Sequence, residues 1–337
     1  MPPPSCPTSH LPARPRLTSL LDCDLYKFSM QQAVLLRYPN TPVSYTFRNR
    51  SSDTHKYTPE AFEVLKDAVD ALAELRLTCD EQAWLSQAVP ALTPAYLAFL
   101  GAFRLNPSQH VTAGLSPTGE LAVTISGLWV DTILYEIPLL ALISEVYFAV
   151  VDRDWNVEGQ EERAAEKARA LVEGGFGLVP IGTVAYEWVM AVSMYPAAFG
   201  TAFTDTYGLN AFLSNFGSDL FNTYPALRDD SDDPKRFADA VTAHYRSLSI
   251  SPDTKTIVFS DSLDTARSLG ASFGIGTFFT NDFRKRSDPL SASKAMNIVI
   301  KLEKVDGVDV VKLSDDPGKH QGRPDAVRAA LATFGLC

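Results

Sequence analysis

A chain of 337 residues, 46% hydrophobic and 21% charged, with a mean hydropathy of −0.03, has the composition of a globular protein able to bury a large core. Its formal net charge of −10 excludes the broad basic footprint of a nucleic-acid binder, though not a local basic pocket for a small polyanion. Cys6, Cys23, Cys79 and Cys337 are scattered without metal-ligand spacing and read as free thiols of a reducing compartment, so a cytoplasmic protein is expected.

Residues 1–16 (MPPPSCPTSHLPARPR) carry prolines and small polar residues but no apolar stretch, and predict a disordered arm. Residues 17–137 predict a small α+β domain. Apolar residues at helical spacing follow Asp24, a candidate cap, and residues 42–47 alternate as a strand. Stretches 59–77 and 80–100 predict helices, and 120–126 another strand.

From residue 138 onward the pattern changes. Residues 138–148 predict a buried helix opened by Pro138. The apolar stretch 137–151, interrupted by Glu145, is too short to span a bilayer, so no membrane association is expected. Residues 159–173 form a charged, solvated helix. Apolar runs then recur at 178–183, 201–205, 256–261 and 272–277, each ending in small, polar or acidic residues, with a helix at 233–247 between two of them. That alternation predicts parallel βα units whose strand ends converge on one mouth. The units are too few for a closed eightfold barrel, so residues 138–337 are expected to form an irregular, incomplete α/β barrel.

Three groups could carry chemistry. Gly274, Gly276 and Thr277, followed by the basic run 283–286, suit a phosphate, because glycines let main-chain N–H groups approach an anion; a tight turn is the plainer alternative. Residues 228–234 (RDDSDDP) concentrate carboxylates beside Arg228. They suit Mg²⁺ carried by a pyrophosphate and a fork for a substrate carboxylate, or else a solvated loop capping the next helix. Asp205, Ser260 and Asp261 stand at predicted strand ends, as ribose or metal partners or as caps. His10, His55, His110, His244 and His320 show no catalytic arrangement and read as surface residues.

In order along the chain, segments 21–30 (LDCDLYKFSM), 180–188 (PIGTVAYEW), 204–206 (TDT), 228–234, 259–262 (FSDS), 273–282 (FGIGTFFTND) and 296–302 (MNIVIKL) resemble the nicotinate phosphoribosyltransferase family, in particular its fungal members. The resemblance runs from about residue 17 to 331. It implies a small N-terminal domain, a type II phosphoribosyltransferase barrel and a homodimer. It also implies the reaction of nicotinate with phosphoribosyl pyrophosphate to give nicotinate mononucleotide and pyrophosphate. ATP hydrolysis is coupled to that synthesis, which is the salvage entry into NAD. Carried over by position, Tyr26 would stack on the pyridine ring, Thr183 would line its site and Arg228 would face its carboxylate. Gly276 and Thr277 would hold the 5-phosphate, with Gly274 and Ser262 also touching substrate. Asp230 and Asp261 would serve the ribose or Mg²⁺.

The chain departs from the family in four places. Tyr186 stands where family members carry the histidine that ATP phosphorylates. With a pKa of about 10 against about 6.5, tyrosine forms no labile N-phosphate, so ATP coupling through this position is expected to be lost. A long insert with an arginine-rich run is missing near residues 174–177, and a further piece is missing between 192 and 201. Asp232 replaces a glycine. A diverged, catalytically impaired or non-catalytic paralogue binding a ribose phosphate or a family subunit, an ATP-independent transferase, and a misjoined set of exons are the alternatives these departures leave open.

Overall fold

The computed structural model describes residues 17–173, 201–230, 233–260, 272–273, 283–315 and 320–336. The expected arm, the run at 178–183 and the glycine segment 274–277 lie outside the described residues. The chain divides into two compact units, residues 1–31, 44–153 and 296–301 in one, and 32–43, 154–295 and 302–337 in the other.

The first unit begins its helices where threonine offers an oxygen to an orphan main-chain N–H. Thr58, Thr78 and Thr93 each accept from the N–H three residues on, opening α2 (Pro59–Asp70), α3 (Cys79–Ala88) and α4 (Pro94–Ala102) after α1 (Leu25–Arg37). The expected single helix over 80–100 is two. Pro90 has no N–H to continue α3, and the Thr93–Pro94 pair is itself a start signal. Likewise the helix expected to reach residue 77 tightens after Asp70 into a 3-10 turn, Ala71–Glu74.

Among the described residues the longest helical run is Trp129–Val151, 23 residues. It extends further than the apolar stretch read from the sequence and is long and apolar enough, by length and composition, to cross a membrane. Half of that window is buried within the protein, and Ile133, Leu134, Leu139, Leu142 and Ile143 are at most 1% exposed, as in a core helix. Within it, α5 (Glu136–Val146) follows a 3-10 turn at Ile133–Tyr135. The change of pitch has a local cause. Pro138 lacks the N–H that would bond to the carbonyl of Leu134. That carbonyl faces the Cys23 thiol at 3.8 Å instead, and burial, the main cause, pushes the thiol pKa up to about 12, keeping its proton.

A five-stranded sheet runs in the order β2-β3-β1-β8-β9, where β1 is Pro42–Asn49, β2 Val111–Leu115, β3 Leu121–Leu128, β8 Ile298–Val305 and β9 Val308–Asp309. Alternation on β1 buries Val43, Tyr45 and Phe47. The antiparallel pair β2–β3 turns through Gly119 at φ +81°, where a Cβ would come within 2.7 Å of the Tyr57 carbonyl oxygen. His110 corrects the surface assignment: it is buried, its ring edge against Tyr135.

One polar cluster is buried in this unit. Lys27 is inaccessible and pairs with Glu136 at 2.5 Å. Gln31 donates to the Val130 carbonyl and accepts from the Tyr96 hydroxyl, each at 2.8 Å.

The second unit contains the parallel sheet expected from the apolar runs. Its order is β4 (Thr201–Phe203), β5 (Ala226–Asp229), β6 (Thr256–Phe259), β7 (Ser272–Phe273), and every pairing is parallel. Strand β5 corrects the sequence reading, which placed Arg228 and Asp229 in an acidic loop. Helices α7 (Leu209–Asn215) and α8 (Ser218–Thr223) connect β4 to β5, and α9 (Pro234–Ser247) connects β5 to β6; α6 (Gln160–Glu173) precedes them and α10 (Pro324–Thr333) follows. Phe237, Val241 and Tyr245, spaced four apart on α9, meet Phe203, Phe216, Phe221, Tyr224 and Leu227 in one core. Among the described residues these strands form an open sheet, not a closed barrel, since closure needs a full circuit of tilted strands.

Two outcomes test this account. Removing the Glu136 carboxylate (Glu136→Ala) takes a paired negative charge from the inaccessible Lys27 ammonium. It is expected to lower unfolding free energy by about 3–5 kcal/mol in urea titrations, with much of the loss recovered in Lys27→Met/Glu136→Leu. Asp233 caps α9 by accepting from the Arg236 N–H at 2.9 Å, so Asp233→Ala is expected to cost about 1 kcal/mol by the same measurement.

Candidate functional site

Parallel pairing brings the C-terminal ends of β4, β5, β6 and β7 to one edge of the sheet, because their registers match Phe203 to Arg228, Asp229 to Phe259 and Phe259 to Phe273. The residues leaving that edge are Thr204 and Asp205 after β4, Asp230 after β5 and Ser260 after β6. Of the residues singled out from sequence, Arg228, Asp230 and Ser260 are within hydrogen-bonding distance of one another.

Arg228 is the centre of the group. Its Nη2 lies 2.6 Å from Asp230 Oδ1, and its Nε donates to Ser260 Oγ at 2.8 Å. Ser260 has one hydroxyl proton and two acceptors in reach, Asp230 Oδ1 at 2.6 Å and the Asp229 carbonyl at 3.1 Å. Nε and Nη2 form one edge of the guanidinium, so the Ser260–Asp230 pair grips that edge as a unit. The guanidinium lies over the Phe203 ring, with Cζ 4.5 Å from the ring centroid. The Thr204 hydroxyl donates to the Arg228 carbonyl at 2.9 Å and ties the two strand ends together. Arg228 and Asp230 keep about a fifth of their side-chain surface in solvent, which leaves the cation reachable.

Asp205 is 2% exposed and pairs with Lys312 at 2.8 Å. The segment carrying Lys312 is fastened to the exit of β4 along its length. Leu313 N–H donates to the Thr206 carbonyl at 2.7 Å, and the Asp315 carboxylate accepts from Leu209 N–H at the start of α7. Asp205 is thus held beside Lys312 at the edge where the strands end.

The basic run 283–286 is tied into its surroundings. Arg284 donates to the Leu290 carbonyl at 2.9 Å and Arg286 to the Trp155 carbonyl at 2.6 Å. Ser287 donates through its hydroxyl and its N–H to Asp154, which holds that carboxyl below the usual range.

Tyr26 belongs to the first unit, on α1, half-buried, with its ring 5.5 Å from the Lys27 ammonium. Thr183, Tyr186, Asp261, Ser262, Gly274, Gly276 and Thr277 lie outside the described residues. Among the described residues no group of three or more His, Cys, Asp or Glu forms a metal site. Asp230 offers the oxygen chemistry Mg²⁺ prefers, but its Oδ1 is engaged by Arg228 and Ser260.

Sequence reasoning missed Phe203 and Lys312. Lys312 did leave a signal, a single cation inside the apolar run 310–313. Phe203 left none, since an aromatic residue closing a buried strand looks like core, which it also is.

Residues 21–144 match the family model of the nicotinate phosphoribosyltransferase N-terminal domain, and residues 191–336 match that of the nicotinate phosphoribosyltransferase family. Residues 145–190, which include Thr183 and Tyr186, fall between the two matches. A Methanosarcina acetivorans protein named nicotinate phosphoribosyltransferase is 35% identical over 408 aligned positions, covering 95% of this chain and 98% of that one. A Saccharomyces cerevisiae protein of the same name is 33% identical over 413 positions, covering 96% of each. With 337 residues here against 408 aligned positions, at least 71 of those positions stand opposite a gap in this chain. A crystal structure from Saccharomyces cerevisiae superposes with a TM-score of 0.88 at 32% identity, covering 96% of this chain and 99% of that one. One of nicotinate phosphoribosyltransferase from Porphyromonas gingivalis gives 0.84 at 29%, covering 95% and all of that chain. The chain belongs to the nicotinate phosphoribosyltransferase family.

Proposed function

We propose that this protein transfers the phosphoribosyl group of phosphoribosyl pyrophosphate to nicotinate, forming nicotinate mononucleotide and pyrophosphate for NAD salvage. The observation that carries the proposal is the partly exposed, pre-oriented guanidinium of Arg228 at the strand ends of a chain from this family. Nicotinate is a flat aromatic acid. A guanidinium fixed in plane is the group best suited to hold its carboxylate and thereby aim the ring nitrogen at the sugar carbon. The displacement passes through a cationic sugar centre, so the protein's task is mainly to position the partners and to neutralise the departing pyrophosphate.

Around that contact, Tyr26 would stack on the ring, Thr183 and Ser262 would line the substrate, and Gly274, Gly276 and Thr277 would hold the 5-phosphate. Mg²⁺ would arrive with the pyrophosphate substrate and meet Asp230 and Asp261 on the ribose side. Tyr186 in place of a phosphorylatable histidine argues for turnover in which ATP, the family's co-substrate, forms no phosphoenzyme at that position. The protein would work in the cytoplasm as a homodimer. Its parallel sheet would belong to an irregular barrel of residues 138–337 behind the α+β domain 17–137. The alternative of a non-catalytic relative gains no support from the proteins compared, which carry the enzyme's name.

The test is incubation of the purified chain with labelled nicotinate, phosphoribosyl pyrophosphate and Mg²⁺, with and without ATP. Labelled mononucleotide is expected in both arms, and its absence from both would refute the enzymatic reading. Arg228→Lys keeps the charge but removes the planar fork. It is expected to raise KM for nicotinate about tenfold to a hundredfold, as for a lost charge-assisted hydrogen bond, with KM for phosphoribosyl pyrophosphate little changed.

A further inference from the structure

We infer that α10 is a detachable clasp on the exit of β4, held through the Phe334 ring on Tyr207, so that its docking and the order of residues 204–209 rise and fall together. That exit is fastened at successive points. Leu313 N–H donates to the Thr206 carbonyl at 2.7 Å, and Leu313 bridges Tyr207 as a parallel neighbour. The Asp315 carboxylate accepts from the Leu209 N–H at 3.0 and 3.1 Å. Lys312 pairs with Asp205. The Tyr207 and Phe334 rings stack, with centroids 5.0 Å apart and planes 29° apart. Tyr207 follows closely on Thr204, whose hydroxyl donates to the Arg228 carbonyl, so the stack lies near the strand-end edge along the chain.

These fastenings differ in strength. Lys312 and Gln321 exchange both main-chain hydrogen bonds, at 3.0 and 2.9 Å. Gly322 follows at φ +115°, where a Cβ would come within 2.8 Å of the Val311 side chain, so the chain is pinned there in a conformation that suits glycine. Beyond that point the hold is slight. The side chain of Arg323, at the start of α10, makes no cap hydrogen bond, and none of the helix's residues is buried. Val327, Leu331 and Phe334 form a half-buried stripe at helical spacing. In α9, by contrast, Phe237, Val241 and Tyr245 are at most 1% exposed. Elements with few buried apolar contacts open at a fraction of the global unfolding cost, so α10 opens well before α9. When it leaves, Tyr207, already 42% exposed, loses its aromatic cover, while the main-chain ties to Leu313 and Asp315 remain. Coupling of this kind is reciprocal, and whatever tightens residues 204–209 tightens α10 as well. A ligand bound at the strand ends is one such influence, and for that part the inference rests on the reading of the Arg228 site.

The experiment follows hydrogen–deuterium exchange by mass spectrometry in the full chain, in Phe334→Ala, and in Phe334→Tyr, which keeps a ring. Phe334→Ala is expected to speed exchange of α10 about three- to tenfold, the worth of one aromatic pair. Exchange over 204–209 is expected to rise with it, α9 to stay unchanged, and Phe334→Tyr to match the parent. Faster exchange of α10 with no change over 204–209 overturns the coupling. An equal rise in α9 overturns local opening, and no change in α10 overturns the role of the stack. In a second arm, phosphoribosyl pyrophosphate with Mg²⁺ is added to the parent chain and is expected to slow exchange over 204–209 and α10 together. Protection of 204–209 without α10 overturns the reciprocity. Protection of neither refutes the reading of the Arg228 site, while the comparison of variants still decides whether α10 clasps β4.

Discussion

Nε and Nη2 of Arg228 reach Ser260 and Asp230 only because three parallel strands finish level with one another. Parallel pairing sets the register, and the register brings Phe203, Arg228 and Ser260 to neighbouring positions although they are distant in sequence. The pairing in turn depends on α9, whose Phe237, Val241 and Tyr245 cover the sheet and whose first turn is capped by Asp233. The carboxylates after Arg228 thus divide the work. Asp229 lies buried in the strand and offers its carbonyl to Ser260, Asp230 pairs with the guanidinium, and Asp233 starts the helix.

Much of this was legible before any coordinates. The runs at 201–205 and 256–261 read as buried parallel strands because each is a short, mostly apolar run that ends in polar residues. Strand β5 escaped notice for a physical reason: Ala226 and Leu227 are its only apolar residues, and the charges that follow suggest solvent. Pairing on both sides by β4 and β6 outweighs that local preference, as sheet context commonly does. The strand-end rule anticipates the place of Ser260, but not that of Arg228 and Asp230, because the strand that delivers them reads as a loop. Phe203 could not be anticipated as a partner, because it is chosen by a neighbour remote in sequence, and Lys312 left only its isolation in an apolar run as a signal.

The two units handle buried charge alike. Lys27 with Glu136 in one, and Lys312 with Asp205 in the other, are cations almost wholly removed from water and paired with a carboxylate. Such pairs contribute little net stability over apolar replacements, yet losing one member leaves an uncompensated ion inside. They favour one arrangement of the chain over its competitors: α1 is held to α5 by the first pair, and the exit of β4 is held to the segment around residue 312 by the second.

Strand β1 lies between β3 and β8, and the residues that close its far side arrive late: Ser51 and Asn297, bonded at the end of that pairing, are 246 residues apart. During synthesis the chain up to β3 emerges with one flank of β1 bare, an adhesive ribbon until most of the remaining polypeptide has left the ribosome. Maturation of the amino-terminal half is therefore tied to completion of the carboxy-terminal half. A truncated product would expose a sticky border rather than yield a smaller working protein.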